Sequence, residues 1–214
     1  MRDRQPGGRL AGMKRCMVVG RPNVGKTLLV LSLAEHLKAR TVDVTFTDPS
    51  GARQVRTYTV NAAIRELVGP RPHHTRCLQS IVVEVPTGKG RKVAEIVDST
   101  GLVDYIHEDP QVRKAMAQTL QAIRHAQVIL HVVDASTAGL DGSGPLASAV
   151  DRQIADFAGS RGGYFIVANK MDLPDAARGL TRLRRMFSGY AVLPVSAAER
   201  TGLREVKRHV LRSL

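Results

Sequence analysis

The chain of 214 residues has no tryptophan and only four tyrosines and four phenylalanines. A surface that stacks exposed bases on aromatic rings is therefore poorly supplied. Cysteine is scarce too: Cys16 falls in a predicted buried strand and Cys77 in a predicted loop. Two cysteines do not make a disulfide framework, so a reducing, cytoplasmic compartment is the simplest expectation. No apolar run approaches the roughly 20 residues that span a bilayer, which argues against membrane insertion. Residues 1–15 are basic and Gly-rich with no apolar centre, unlike a secretory signal; residues 1–13 are expected to form a flexible basic tail. Acidic residues are also in deficit, 19 against 32 Lys and Arg, for a net charge of +13. That balance suits a polyanionic partner such as RNA or the ribosome. An Arg-rich solvated surface, with part of its charge facing bound phosphates, gives the same balance, and composition leaves both readings open.

What is present is organised around residues 20–27, Gly-Arg-Pro-Asn-Val-Gly-Lys-Thr. An apolar run, Cys16-Met-Val-Val19, precedes it, and a helix-forming run over 28–39 follows. Strand, Gly-rich loop and helix in that order are the context of a phosphate-binding loop. Gly20 and Gly25 allow a tight turn and a close backbone approach to phosphate oxygens. The N–H groups of Asn23, Val24, Gly25, Lys26 and Thr27 would point inward at a helix N-terminus, with Leu28 continuing the helix. Lys26 is placed for the β- and γ-phosphates and the Thr27 hydroxyl for Mg²⁺.

The remaining pattern alternates strands with helices. Val42, Val44 and Phe46 alternate with polar residues; Asp48-Pro-Ser-Gly51 gives a turn; residues 55–60 are again extended, which predicts a β-hairpin. Asn61 is the expected cap of a short helix ending at Val68. Strands are predicted over 80–85, 93–97, 128–133, 164–168 and 191–195, and helices over 111–125, 146–157, 180–187 and 203–214. In the helix over 111–125, Val112, Met116, Leu120 and Ile123 mark the apolar face. The alternation indicates an α/β domain over 14–214 with a mostly parallel sheet and helices on both faces.

Two further motifs stand at strand ends, where such sheets bind ligands. Asp98-Ser-Thr-Gly101 offers a carboxylate for a Mg²⁺-bound water and a Gly101 N–H for the γ-phosphate. Asn169-Lys170-Met171-Asp172 is more specific. Asp172 can accept hydrogen bonds from guanine N1–H and its exocyclic amine, donors that adenine lacks. Lys170 can lay its stem along the base or ribose, and Asn169 can tie this loop to the phosphate loop or contact guanine. After the last strand, Ser196-Ala197-Ala198 is where a backbone N–H near Ala197 would meet guanine O6.

These motifs, in this order, resemble the G1, G3, G4 and G5 motifs of GTPases. The form of the first resembles the translation-factor-related (TRAFAC) bacterial group with Era- and TrmE-like G domains, as do Val132-Val-Asp-Ala135 and Asn169-Lys-Met-Asp-Leu-Pro174. The resemblance implies a three-layer P-loop GTPase fold, with a six-stranded sheet whose one antiparallel strand is 80–85. It implies GTP and GDP as ligands, Mg²⁺ as cofactor, hydrolysis of GTP and a switch function, with unnamed activating or exchange proteins. In switch I it implies a threonine that senses the γ-phosphate and touches Mg²⁺. Thr75 fits by its place before a strand, with Thr47 and Thr57 as rivals. Lys26, Thr75 and Gly101 are then the catalytic set, and Thr27, Thr75 and Asp98 the metal set. His73 and His74 read as a solvated loop rather than a metal pair.

Two features depart from the group. Thr75 follows Thr27 by 48 residues because 41–69, with its hairpin, is inserted in switch I. The insertion reads either as a partner platform or as an extension of the sheet edge. After Gly101 comes Leu102, which cannot orient water. Asn23 matches a position that in TrmE-like domains helps bind K⁺; the same residue can simply shape the turn.

Overall fold

The computed structural model describes residues 13–69, 77–87, 90–102, 108–138, 149–159 and 162–213, with backbone alone for 85–87 and 91. Its elements run β1 (Lys14–Val19), α1 (Lys26–His36), β2 (Thr41–Thr47), β3 (Arg53–Thr59), α2 (Val60–Leu67), β4 (Leu78–Thr87), β5 (Gly90–Asp98), α3 (Pro110–Arg124) and β6 (Val128–Asp134). They continue with α4 (Ala135–Ala138), α5 (Ala149–Gly159), β7 (Tyr164–Asn169), α6 (Ala176–Met186), β8 (Val192–Pro194) and α7 (Leu203–Ser213). The tail expected over 1–13 lies almost wholly outside the described residues, as do Thr75 and the adjacent His73 and His74.

All strands join one sheet in the order β3-β2-β4-β5-β1-β6-β7-β8. From β5 to β8 the neighbours pair in parallel. β4 is antiparallel to β5, as expected of residues 80–85. The sheet has eight strands rather than six. The extra two are the hairpin β2–β3, which does not stand apart: β2 pairs antiparallel with β4 from Val44↔Ile81 to Thr47↔Leu78. The insertion thus extends the sheet edge, and β3 also runs against the parallel strands.

The sheet separates two apolar layers. Val18, Leu130 and Val132 face α1, α2 and α7, while Met17, Ile129 and Val133 face α3, α5 and α6. That is the period-2 alternation of a strand buried on both faces. β6 is buried along its whole length. Its one polar side chain facing a helix layer, His131, sits 2.9 Å from the Asp151 carboxylate and 2.7 Å from the Tyr164 hydroxyl, so its buried ring nitrogens are both paired.

Two local expectations change. In α3 the buried face is Val112, Ala115, Thr119 and Ile123, while Leu120 is 49% exposed. Thr119 tolerates burial because its hydroxyl donates to the Ala115 carbonyl at 3.0 Å, which turns Leu120 outward. At α2 the cap is Thr59, two residues earlier than Asn61: the Thr59 hydroxyl accepts the Ala62 N–H at 3.2 Å. The helix starts there because β3 ends at Thr59 in extended conformation, φ −68° and ψ 151°, the backbone state an N-cap requires. Thr59→Ala should therefore lower the protection of α2 amides in hydrogen exchange by about 1 kcal/mol. Asn61→Ala should leave it unchanged, and the reverse order would return the cap to Asn61.

Candidate functional site

The loop between β1 and α1 is shaped by what passes beneath it. At Gly20, φ is +142° and a Cβ would lie 2.3 Å from the Val132 carbonyl oxygen of β6. At Gly25, φ is +93° and a Cβ would lie 2.4 Å from the Asn169 amide nitrogen. Only glycine fits either place. Asn23 adopts φ +62°, a left-handed turn conformation that asparagine tolerates. α1 then starts at Lys26 with no side-chain cap, so its first N–H groups are left for another acceptor.

Lys26 and Asp98 are buried charges beside the phosphate loop, 7% and 2% exposed. Burial lowers the Lys26 ammonium to about 8, opposed by the Asp98 charge. Burial raises the Asp98 carboxyl to about 6, opposed by Lys26 and by the Thr27 hydroxyl. The Lys26 ammonium donates to the Arg21 carbonyl at 2.8 Å, and Thr27 Oγ1 donates to Asp98 Oδ2 at 2.5 Å. Among the described residues Asp98 Oδ1 is buried without a hydrogen-bond partner, as are the hydroxyls of Ser99 and Thr100. A hydroxyl beside a carboxylate with an unmet acceptor is a hard-oxygen pair of the kind Mg²⁺ takes. Among the described residues no group of three or more His, Cys, Asp or Glu forms a cage, so such an ion would need phosphate or water ligands as well.

The Asp98 loop is pressed onto the phosphate loop. A Cβ on Gly101 would meet the Pro22 backbone nitrogen at 2.6 Å, and the Leu102 N–H donates to the Gly20 carbonyl at 3.2 Å. The Leu102 side chain is 3% exposed and packs in the α3-side core, away from the loops.

Asn169 joins three loops. Its Nδ2 donates to the Val24 carbonyl at 2.8 Å, and its Oδ1 accepts the Ala197 N–H at 3.1 Å. The neighbouring Ser32 hydroxyl of α1 donates to the Ala197 carbonyl at 2.9 Å. The exposed Asp172 accepts from the Ser196 hydroxyl at 2.5 Å, which fixes the carboxylate at the mouth of the site. Lys170, at φ +64°, places its ammonium 2.6 Å from the Asp134 carboxylate. The Ala197 N–H itself is engaged by Asn169, and Ala198 beside it is exposed.

The structure therefore gathers Asn23, Val24, Gly25, Lys26, Thr27, Leu28, Asp98, Gly101 and the 169–172 and 196–198 loops at one end of the sheet. Thr75 is outside the described residues. Its rival Thr57 donates to the Asp43 carboxylate on the exposed hairpin at 2.7 Å. Asp134 is the residue that motif reading missed. One oxygen holds Lys170, and the other caps α4 through the Ser136 N–H and hydroxyl at 3.0 and 2.6 Å. Its signal was available: like Asp98, it is an acid ending a buried apolar strand.

The family model of the 50S ribosome-binding GTPase matches residues 15–170. Among curated relatives, the GTPase Obg of Bacillus pumilus is 30% identical over 194 residues, covering 88% of this chain and 37% of its own length. Obg of Bacillus licheniformis is 29% identical over the same shares. The chain thus spans a little over a third of the relatives it matches. Among solved structures, an Era variant from Aquifex aeolicus bound to GDP·AlF4− superposes with a TM-score of 0.67 at 20% identity, over 94% of this chain and 57% of that one. Era in complex with MgGDPNP and a 16S ribosomal RNA segment gives 0.62 at 20% identity over the same shares. The solved structures show the fold alone, the three-layer α/β fold of P-loop GTPases. The match across residues 15–170 places the chain in the 50S ribosome-binding GTPase family, among the TRAFAC-type P-loop GTP hydrolases.

Proposed function

We propose that this chain binds GTP and GDP with Mg²⁺, hydrolyses GTP slowly and works as a molecular switch in the cytoplasm. In this reading residues 14–214 are the G domain, with 41–69 inserted in switch I. The observation that carries it is the Asn169 amide, which locks the phosphate loop, the 169–172 loop and the 196–198 loop into one pocket mouth. Asp172, oriented by Ser196, accepts from guanine N1–H and its amine, and Lys170, braced by Asp134, lies along the base. Lys26 exchanges the Arg21 carbonyl for phosphate oxygens, which suit its ammonium better than a neutral acceptor. Thr27 and Asp98 would hold Mg²⁺, with Thr75 as the proposed switch I ligand. The ion neutralises charge on the β- and γ-phosphates when bound. The Gly101 N–H meets the γ-phosphate.

Leu102 gives the hydrolytic step its character. A side chain buried in the core cannot orient the attacking water, so turnover is slow unless a cation or an activating partner supplies the missing group. Asn23 is proposed to help hold a K⁺ beside the phosphates. The same burial favours a second reading, a GTP-dependent RNA- or ribosome-binding module with negligible hydrolysis. The family description and the Era complex with 16S ribosomal RNA support a ribosomal partner in either case. Among the described residues no helix is long and apolar enough to cross a membrane.

Base choice tests the nucleotide reading. Asp172→Asn should lose several kcal/mol of GTP affinity, on the order of a mispaired buried polar edge, and gain affinity for xanthosine triphosphate. Unchanged GTP affinity in a calorimetric titration would remove Asp172 from the site. Single-turnover GTP cleavage in KCl and NaCl at equal ionic strength separates the two readings. The switch reading expects measurable cleavage, faster in KCl. Asn23→Gly, which keeps the left-handed turn but removes the amide, should abolish that preference. Equal rates in both salts exclude K⁺, and no cleavage in either favours the binding module.

A further inference from the structure

Two helices of this fold are rich in arginine, α6 with Arg178, Arg182, Arg184 and Arg185, and α7 on the opposite face of the sheet. α7 buries Leu203, Val206 and Val210 against the sheet and turns Arg204, Arg208 and Arg212 to solvent, four residues apart in one stripe. Its single carboxylate, Glu205, is taken by Arg208. The end of α1 lies alongside. Arg200, just before α7, pairs with Glu35 at 2.8 Å, and His36 stands close enough to Lys207 and Lys38 to feel both. Burial and then those two charges hold the His36 imidazole below its ordinary pKa. Lys38, Arg204, Lys207 and Arg212 have no carboxylate partner among the described residues.

This arrangement works against the fold by itself. Like charges at i and i+4 destabilise a helix. The helix dipole welcomes Arg212 in the last turn, but it opposes Arg204 in the first. A negative partner from outside would relieve both. The patch offers little else. The exposed large apolar side chains are Val55, Val82, Val93, Leu120, Phe157 and Leu173, none on α7 or the end of α1. Phe165 beneath α7 is covered by His209, edge to face at 4.7 Å between ring centres. Among the described residues of this face there is no apolar anchor for the centre of a protein interface or for a bilayer, and no free ring for a base.

From this charge without apolar contact we infer that the outer face of α7, together with Lys38, grips the sugar-phosphate backbone of a folded RNA without reading its bases. The inference rests on the ribosomal reading above and gives it a surface, on the flank of the sheet rather than at the nucleotide loops. Backbone recognition of this kind is salt-dependent and indifferent to sequence.

The test is fluorescence anisotropy with labelled RNA stem-loops of two unrelated sequences, using protein loaded with a non-hydrolysable GTP analogue. R204E/K207E/R212E should weaken binding at least tenfold and lower the slope of log K against log salt by roughly two to three. The neutral variant R204Q/K207Q/R212Q should lie between. R184E/R185E, on exposed positions of α6 in the opposite layer, should change affinity less than threefold. Both stem-loops should bind alike, and the His36 imidazole, followed by NMR, should titrate at higher pH with RNA bound. Analogue affinity equal to wild type in each variant shows that the fold is intact. Equal losses from the α7 and α6 variants, or none from α7, overturn the surface assignment. So does dependence on these side chains for vesicles of phosphatidylserine but not for RNA. Wild-type protein that binds the analogue but no stem-loop overturns this inference and the RNA reading together, and leaves the GTP reading standing.

Discussion

Two hydrogen bonds from one buried amide hold the working end of this molecule together. Asn169 ends β7 and reaches the Val24 carbonyl on one side and the Ala197 N–H on the other. Each partner belongs to a loop of the site, and each would be a buried polar group without a match if the amide were lost, at about 1–3 kcal/mol apiece. The demand spreads outward. Gly25 must lack a Cβ because the amide nitrogen occupies the space. Gly20 must lack one because β6 passes below. β6 then ends in Asp134, which steadies Lys170 in the same loop that Asn169 begins. The parallel core brings these strand ends to one edge, and the amide fixes the distance between their loops.

The other half of the site is held in an unsatisfied state. Lys26 and Asp98 are both buried, and burial pushes each toward its neutral form. Among the described residues Asp98 keeps an acceptor oxygen with no donor, and two neighbouring hydroxyls are likewise unmatched. Groups of this kind lower the stability of a fold, and they persist at places where a ligand completes them. A triphosphate with its divalent cation would answer them together, with negative oxygens for Lys26 and a positive ion for Asp98 and Thr27. In the proposed reading the half held by Asn169 takes the base and the unsatisfied half the phosphates.

Much of this was legible in the sequence because it is local. A Gly-rich loop between a strand and a helix, and acids or amides at the ends of apolar runs, carry their chemistry in consecutive residues. The order of those runs also fixed the parallel core around β1, β5, β6 and β7. What was not legible depends on pairing between distant segments. The hairpin was readable from its alternation, but its union with the sheet depends on β2 meeting β4, 31 to 37 positions away. The face of α3 was misjudged at Leu120 because a buried Thr119 can satisfy its hydroxyl on its own helix, which apolar periodicity does not count. That the N–H of Ala197 itself is claimed by a partner 28 residues earlier was likewise not legible from the expectation of a donor near Ala197. The net charge of +13 was plain, but the stripe of Arg204, Arg208 and Arg212 along α7 emerged only once helix faces were known.

The central claim is that the pocket mouth held by Asn169 is a guanine-nucleotide site. Calorimetric competition between GDP and ADP on the wild-type chain, with Mg²⁺ present, tests it most directly. A site that matches guanine N1–H and its amine to the Asp172 carboxylate predicts GDP binding tighter than ADP by about 10⁴-fold or more, since adenine leaves that acceptor facing no donor. Equal affinities for the two nucleotides, or binding of neither, would contradict the account.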